Sequence, residues 1–420
     1  MHLIRYLLVF AATLCAVTFG TAHAQTLTLP QAIEKTLSHN PQLRGFEFKH
    51  KALTAQRKQA QLKPQFTLAL EAENFAGSGE IAGTDSAEVT LALSSAIELG
   101  NKQSARIAVV DAQQQLALAQ QQIETLDVLG KLSRDFINAL ALQEQVSLAN
   151  YSVQLAQTTL TSVTKRAELG AAPEADVLRA KAALSQTKLH AQTLQTELTI
   201  RFTQLAKNWG EPAASFNRVQ GELYTFAPAQ TWHNLLANIE QGPAIAQLTS
   251  EQRITKAQYQ LINSQASSDI EWQLGVRSFA STGDTGLVAA VSMPLGSSKR
   301  NRHAMNAQQA NQDELIYQQQ HQKLQLQEVL FKAYHLRNNA INAANTLQQN
   351  ILPNLQQALA LTQQAYESGR YSYRDWLAAQ QDLLEANHQL IQTAADAHNQ
   401  QTMIEQLTGQ ALPKHQLITD

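Results

Sequence analysis

The sequence predicts a mainly α protein with a small β part: long α-helical coiled-coil hairpins plus four strands per chain. Three observations carry this. A phrase occurs twice, 199 residues apart: residues 166–180 read RAELGAAPEADVLRA and residues 365–379 read AYESGRYSYRDWLAA. Glu168 matches Glu367, Gly170 matches Gly369, Asp176 matches Asp375, Leu178 matches Leu377 and Leu184 matches Leu383. Each copy interrupts a long helical stretch with a Gly and then restarts it. So long a period points to duplication of a half-domain and not to a solenoid. The second observation is the unbroken helical pattern around each copy, and the third is a pair of alternating segments in each half.

Along the chain, His2 and Arg5 precede an apolar run over 6–19, and Ala22-His23-Ala24 supplies a small-x-small cleavage pattern. Residues 1–24 therefore read as a secretory signal peptide. Cys15, the only cysteine, leaves with it, so the mature chain has no disulfide. No other apolar span reaches the ~20 residues of a membrane-crossing helix. Residues 25–225 are expected to form the first structural repeat and 226–420 the second.

A short helix over 30–38 leads to another over 41–62. From Gln103 to about Ala167 only Gly130 interrupts the helical pattern, a length of ~98 Å at ~1.5 Å per residue. Val146, Ala149, Val153, Ala156, Leu160, Val163 and Ala167 keep 3–4 spacing, and after Gly170 the series resumes at Val177, Ala180, Leu184, Thr187, Ala191, Leu194 and Leu198. This is coiled-coil spacing with small residues in the seam, which lets helices approach closely. The second half repeats it over 302–367 and 373–407, with Pro353 expected to kink or restart the helix. Gln and Ala dominate, aromatics are 6% and charged residues 16%, a composition suited to extended helices with thin seams.

The alternating segments lie between the short and long helices. Phe66, Leu68, Leu70 and Ala72 share one face, opposite Thr67, Glu71 and Glu73. After a loop over 77–85, Val89, Leu91, Leu93 and Ile97 alternate with Glu88, Thr90 and Ser94. In the second half Ile270, Trp272, Leu274 and Val276 alternate with Glu271, Gln273 and Arg277, and Leu287, Ala289, Val291 and Met293 follow a loop over 281–286. Such strands suit either amphipathic hairpins over an ordinary core or a transmembrane barrel wall. The secreted chain offers no core for them to cover, which favours the wall. Four strands cannot close a pore, and an open edge in lipid leaves backbone groups unpaired, so several copies must share one barrel.

Together these features resemble the TolC-like outer-membrane efflux proteins over essentially the whole mature chain, most of all the heavy-metal (cobalt-zinc-cadmium) branch. The residues that carry the resemblance are Leu29-Pro30-Gln31-Ala32-Ile33 leading to Asn40-Pro41, Leu99-Gly100-Asn101-Lys102, Leu295-Gly296 with Lys299-Arg300, Trp209-Gly210, Gly221-Glu222-Leu223, Ile351-Leu352-Pro353 and Tyr366-Glu367-Ser368-Gly369. The resemblance implies a homotrimer with a shared twelve-stranded barrel in outer-membrane lipid and a helical tunnel across the periplasm. It implies that the hairpin tips receive a periplasmic adaptor linked to an inner-membrane pump of the RND type. The matching tip positions are Glu168, Leu169 and Gly170 in the first hairpin and Glu367, Ser368, Gly369 and Arg370 in the second. Asp375 matches a position that can face the periplasmic aperture, where a ring of carboxylates would attract cations. Asp176 and Asp375 equally suit the first turn of a helix, where carboxylates satisfy free N–H groups.

No catalytic constellation is present, and no cofactor or metal site is expected. The twelve histidines are scattered and show no i, i+4 pair beside an acid. His190, His388 and His398 read as solvated or seam-edge residues. Without Arg5 there are 31 basic against 34 acidic residues, which gives no case for nucleic acid. Lys299, Arg300 and Arg302 read as a solvated helix start, or less simply as a contact for membrane phosphates. The expected function is a passive duct for divalent metal cations, with two alternatives: the same architecture exporting drugs or a polypeptide, or a periplasmic coiled-coil stalk with no channel.

Overall fold

A computed structural model describes residues 26–409 apart from residue 229. The expected signal peptide, with Cys15, lies outside the described residues. The chain opens with a short strand β1 (Thr26–Thr28) and helix α1 (Leu29–His39), followed by α2 (Pro41–Ala60). Asn40 explains the Asn-Pro step between them. Its Oδ1 accepts from the backbone N–H of Gln42 and Leu43 at 2.9 and 3.2 Å, capping α2, while Pro41 occupies a first-turn position that needs no N–H. Its Nδ2 donates to the Asn208 carbonyl at 2.8 Å, tying this corner to the Trp209 turn.

Strands β2 (Thr67–Glu73) and β3 (Glu88–Ile97) come next, then α3 (Lys102–Glu168) and α4 (Glu174–Ala206). With 67 residues, α3 is about 100 Å long. Gly130 does not break it. A Cβ there would come within 2.6 Å of the Gln406 side chain, so the glycine marks close approach of the last helix. A short strand β4 (Arg218–Gln220) pairs in parallel with β1, a two-stranded patch too short for its alternation to show in the sequence. Then follow α5 (Trp232–Glu240), α6 (Pro243–Ser264), β5 (Ile270–Phe279), β6 (Thr285–Ser292), α7 (Ser297–Thr346), α8 (Leu352–Glu367) and α9 (Tyr373–Thr408). Between α7 and α8 the helix widens into one π turn, Leu347–Ile351. Pro353 lacks an N–H and its ring crowds the carbonyl four residues back, and the wider turn relieves both.

These elements form a ribbon four elements wide at every level. The sheet order is β2-β3-β5-β6. Beside the sheet the neighbours run α2, α3, α6, α7, and towards the far end they run α4, α3, α9 and then α7 with its continuation α8. One edge of the ribbon therefore always belongs to the first half of the chain (β2, α2, α4) and the other to the second (β6, α7, α8).

The sheet separates an apolar face from a polar one along its middle rows, because every pairing is antiparallel and in register. Leu68, Leu93, Leu274 and Ala289 form one cross-strand row, and Leu70, Leu91, Val276 and Leu287 form the next. Directly opposed residues point to the same side, so these rows build one apolar face. It is bare: Leu70 is 73% exposed and Leu287 90%. On the other face lie Thr67, Ser94, Gln273 and Ala290 in one row and Glu71, Thr90 and Arg277 in another. The charged side chains of the four strands (Glu71, Glu73, Glu88, Glu271 and Arg277) all share this polar face.

Midway along the helices a core of Leu27, Leu132, Phe136, Phe202, Leu205, Trp209, Phe216 and Val219 holds the β1–β4 patch against α3 and α4. The chain begins its crossing from one half to the other in a strap over residues 221–228. His398 on α9 holds its Leu223 carbonyl at 3.0 Å, and Arg337 on α7 donates to its Ala227 carbonyl at 2.5 Å. His398 is thus not a solvated residue. Burial pushes its imidazole below the ordinary value, and burial also pushes the nearby Glu405 carboxyl up to about 7.

Candidate functional site: the paired helical tips

The duplicated phrase forms the two turns that close the helical hairpins, α3–α4 and α8–α9. Each turn solves the same problem, which is to satisfy the last carbonyls of one helix and reverse the chain. In the first, the Gly170 N–H bonds the Ala167 carbonyl at 2.9 Å and the Ala171 N–H bonds the Arg166 carbonyl at 2.8 Å. In the second, the Gly369 N–H bonds Tyr366 at 3.0 Å and the Arg370 N–H bonds Ala365 at 2.8 Å. Both are Schellman motifs, which place a left-handed residue just after the helix. Gly170 has φ +69° and Gly369 has φ +77°, which explains why glycine stands at both positions.

The restarts differ. Helix α9 begins with a reciprocal box: the Ser372 Oγ accepts from the Asp375 N–H at 3.3 Å, and Asp375 Oδ2 accepts from the Ser372 N–H at 2.9 Å and its hydroxyl at 2.7 Å. These bonds from Ser372, hydroxyl first and backbone second, hold the Asp375 carboxyl below its ordinary range. Helix α4 starts after Pro173 with no side-chain cap, and Asp176 sits in its first turn 3.6 Å from Arg179. Both aspartates therefore occupy helix starts, and Asp375 is exposed to solvent.

Glu168, Leu169 and Gly170 are exposed at the first tip, as are Glu367, Ser368, Gly369 and Arg370 at the second. Glu367 accepts from Gln363 one turn back at 3.1 Å, and Ser368 Oγ donates to the Ala365 carbonyl at 3.1 Å. None of the seven crosses to the other hairpin through its side chain among the described contacts. The crossing is made by Arg166. Its guanidinium donates to the Tyr366 carbonyl of the second hairpin and, at 3.2 Å, to the Ala171 carbonyl of its own turn. It also stands over the Tyr366 ring at 4.6 Å. Tyr366 packs on Trp376 with ring centroids 5.1 Å apart, and both sit with Val163, Val177, Ala180 and Tyr373 in one buried cluster.

That cluster leaves two polar atoms unpaired: the Tyr366 hydroxyl and Trp376 Nε1 are buried with no hydrogen-bond partner. Burial, followed by the nearby Asp176 charge, pushes the Tyr373 hydroxyl above its ordinary value. Burial raises Tyr366 likewise. Farther up the same interface, Gln380 Nε2 donates to Thr159 Oγ1 at 2.8 Å and Asn399 to Asn138 at 3.2 Å, so the seam between the halves is partly polar.

Sequence reasoning missed Arg166 and Trp376 as tip residues, yet a signal was present. Where the copies differ, they differ in complementary ways: Arg166-Ala167 stands opposite Ala365-Tyr366, and Val177 opposite Trp376. The mismatched positions are the ones that meet.

Among the described residues no three His, Cys, Asp or Glu side chains come together as metal ligands, and no helix is long and apolar enough to cross a membrane. A bare apolar sheet face, open-edged strands and ~100 Å helices define the class of an outer-membrane channel with a long helical extension. Solved structures of that class share the fold. The outer-membrane channel OprN superposes with a TM-score of 0.76 at 18% identity, over 91% of this chain and 89% of that one. The outer membrane protein VceC of Vibrio cholerae gives 0.74 at 18%, over 91% and 96%. The family model "Outer membrane efflux protein" matches residues 32–211 and 239–410, so the chain belongs to the outer membrane efflux protein family. It is a channel component and not an enzyme, seated in the outer membrane and extending into the periplasm. A curated relative, the cobalt-zinc-cadmium resistance protein CzcC of Cupriavidus metallidurans, is 25% identical over 317 residues, 74% of this chain and 75% of that protein.

Proposed function

We propose that three copies close edge to edge into one twelve-stranded barrel and one helical tunnel, forming the outer-membrane duct of a tripartite system that exports divalent heavy-metal cations. The observation that carries this is the open ribbon. Its sheet has one bare apolar face, one polar face and two unpaired edges. Lipid covers the first, water the second, and only another copy can satisfy the third without leaving N–H and C=O groups unpaired in hydrocarbon. The same first-half and second-half edges recur along the helices, so one head-to-tail contact repeated around a ring closes every level at once.

The exposed tips are then the periplasmic end, where an adaptor linked to an RND-type pump docks on Glu168, Leu169, Gly170, Glu367, Ser368, Gly369 and Arg370. Asp375, which closes the capping box after the second turn, is the residue assigned to the aperture. The absence of an energy-coupling motif in the sequence fits a passive duct driven by its partners. The likeness to CzcC supports metal cargo.

Two experiments test the reading. Deleting the gene should lower zinc, cobalt or cadmium tolerance. Unchanged metal tolerance with raised drug sensitivity would reassign the cargo. Substituting Gly369 or Arg370 should impair adaptor coupling and leave trimer assembly intact, whereas loss of the trimer in those variants would refute the docking role.

A further inference from the structure

On the polar face of the sheet, Glu73 of β2 and Glu88 of β3 are direct register partners. Like charges placed opposite each other across strands repel, so this pair needs compensation. It comes from the next strand. Arg277 of β5 donates Nη1 to Glu88 Oε2 at 2.8 Å, stands with Nη2 3.1 Å from Glu73 Oε2, and donates Nε to Thr90 Oγ1 at 2.8 Å. Every nitrogen of the fork is engaged. Asn74, left-handed at φ +53°, donates its Nδ2 to the other oxygen of Glu88 at 3.1 Å. Among the described residues Arg277 is the one basic side chain on the four strands, against Glu71, Glu73, Glu88 and Glu271.

We propose that Arg277 is the resident cation of the channel wall, filling the place between Glu73 and Glu88 in which an exported divalent cation would otherwise lodge. The inference rests on the duct reading above, since it takes the polar face to line the passage. Two converging carboxylates and a hydroxyl are oxygen donors of the kind that divalent cations accept. A duct must pass its cargo and not hold it, and passage needs sites weak enough to leave. A planar guanidinium fixed by bonds to both carboxylates meets that need. Its single positive charge offsets one of the two carboxylate charges, and its fork engages one oxygen of each.

The test uses the purified full assembly and zinc as the probe. In equilibrium dialysis, Arg277→Gln should retain about one more zinc ion per chain than the unaltered protein. The triple variant Glu73→Gln/Glu88→Gln/Arg277→Gln should return to the unaltered level. Arg277→Lys keeps the charge without the fork and should fall between them. Equal zinc content in Arg277→Gln and the unaltered protein, both assembled, would overturn the proposal. So would failure of Arg277→Gln and Arg277→Met alike to assemble, since Arg277 would then be a structural brace only. Planar-bilayer conductance of the unaltered protein separates the two readings. A protein that conducts but shows no zinc difference fails this inference alone, and one that never conducts fails the duct itself.

Discussion

The two helical tips end their helices identically and differ in almost everything else. Both use a Schellman turn with a left-handed glycine. The first tip then restarts from Pro173 without a side-chain cap and contributes Arg166 to its neighbour. The second restarts from a Ser372–Asp375 box and brings Tyr366, Tyr373 and Trp376 into the cluster between the hairpins. Backbone geometry constrains the turn in both copies, since each closes through a left-handed glycine. The side chains facing the other hairpin differ, and a cation from one meets an aromatic from the other. One tip anchors and the other is anchored.

That asymmetry can be broken from either side. The largest effect is expected at Trp376, which is 1% exposed in the shared cluster. Trp376→Ala should destabilise the tip region by about 3–5 kcal/mol, and the matched Val177→Ala by clearly less, as read by denaturant unfolding of the assembled protein. Comparable losses would mean that the tips share the packing evenly. Next comes Arg166→Ala, which removes a two-carbonyl clamp and a ring contact and should cost about 1–3 kcal/mol. Arg166→Lys should rescue it poorly, because an ammonium cannot reproduce the fork. A full rescue would reduce the clamp to a simple charge effect.

Gly170→Ala and Gly369→Ala should each cost about 1–2 kcal/mol through left-handed strain, and by similar amounts, because this is the feature the tips share. A large difference would show that one turn is held by more than its backbone.

The smallest effect separates the restarts by pH. The Asp375 carboxyl lies below its ordinary value in the folded chain. Its contribution is therefore present above the unfolded-state value and is lost only as pH falls through the lower, folded one. Amide exchange over 372–376 should accelerate in that acid range and exchange over 174–177 much less. Equal acceleration at both restarts would contradict the capping asymmetry.

Much of this was legible in the sequence because it depended on period. The 3–4 seams of α3, α4 and α9 and the alternation of the four sheet strands state their own geometry, and Leu68 or Val276 falls on the face its neighbours predict. Whatever depended on distant contacts was hidden. Three-residue strands such as β1 and β4 carry too little alternation to register, and their pairing is held by Gln143 bonding Val219 through both backbone groups. His398 reads as a solvated or seam-edge residue because nothing in its own helix shows that the strap at Leu223 covers it. The π turn was foreshadowed by Pro353 as a disturbance, but its form was not. Arg166 lies inside the repeated phrase, but nothing local shows that it reaches the Tyr366 carbonyl of the other hairpin.

This open ribbon is proposed to close only by meeting copies of itself. Cysteines introduced at the two free strand edges, one in Thr67–Glu73 and one in Thr285–Ser292, test it directly, since the described residues contain no cysteine to interfere. On mild oxidation in outer membranes, the expected product is a covalent ladder of one, two and three chains that stops at three. A chain that stays monomeric, or a ladder that runs on past three, would contradict it.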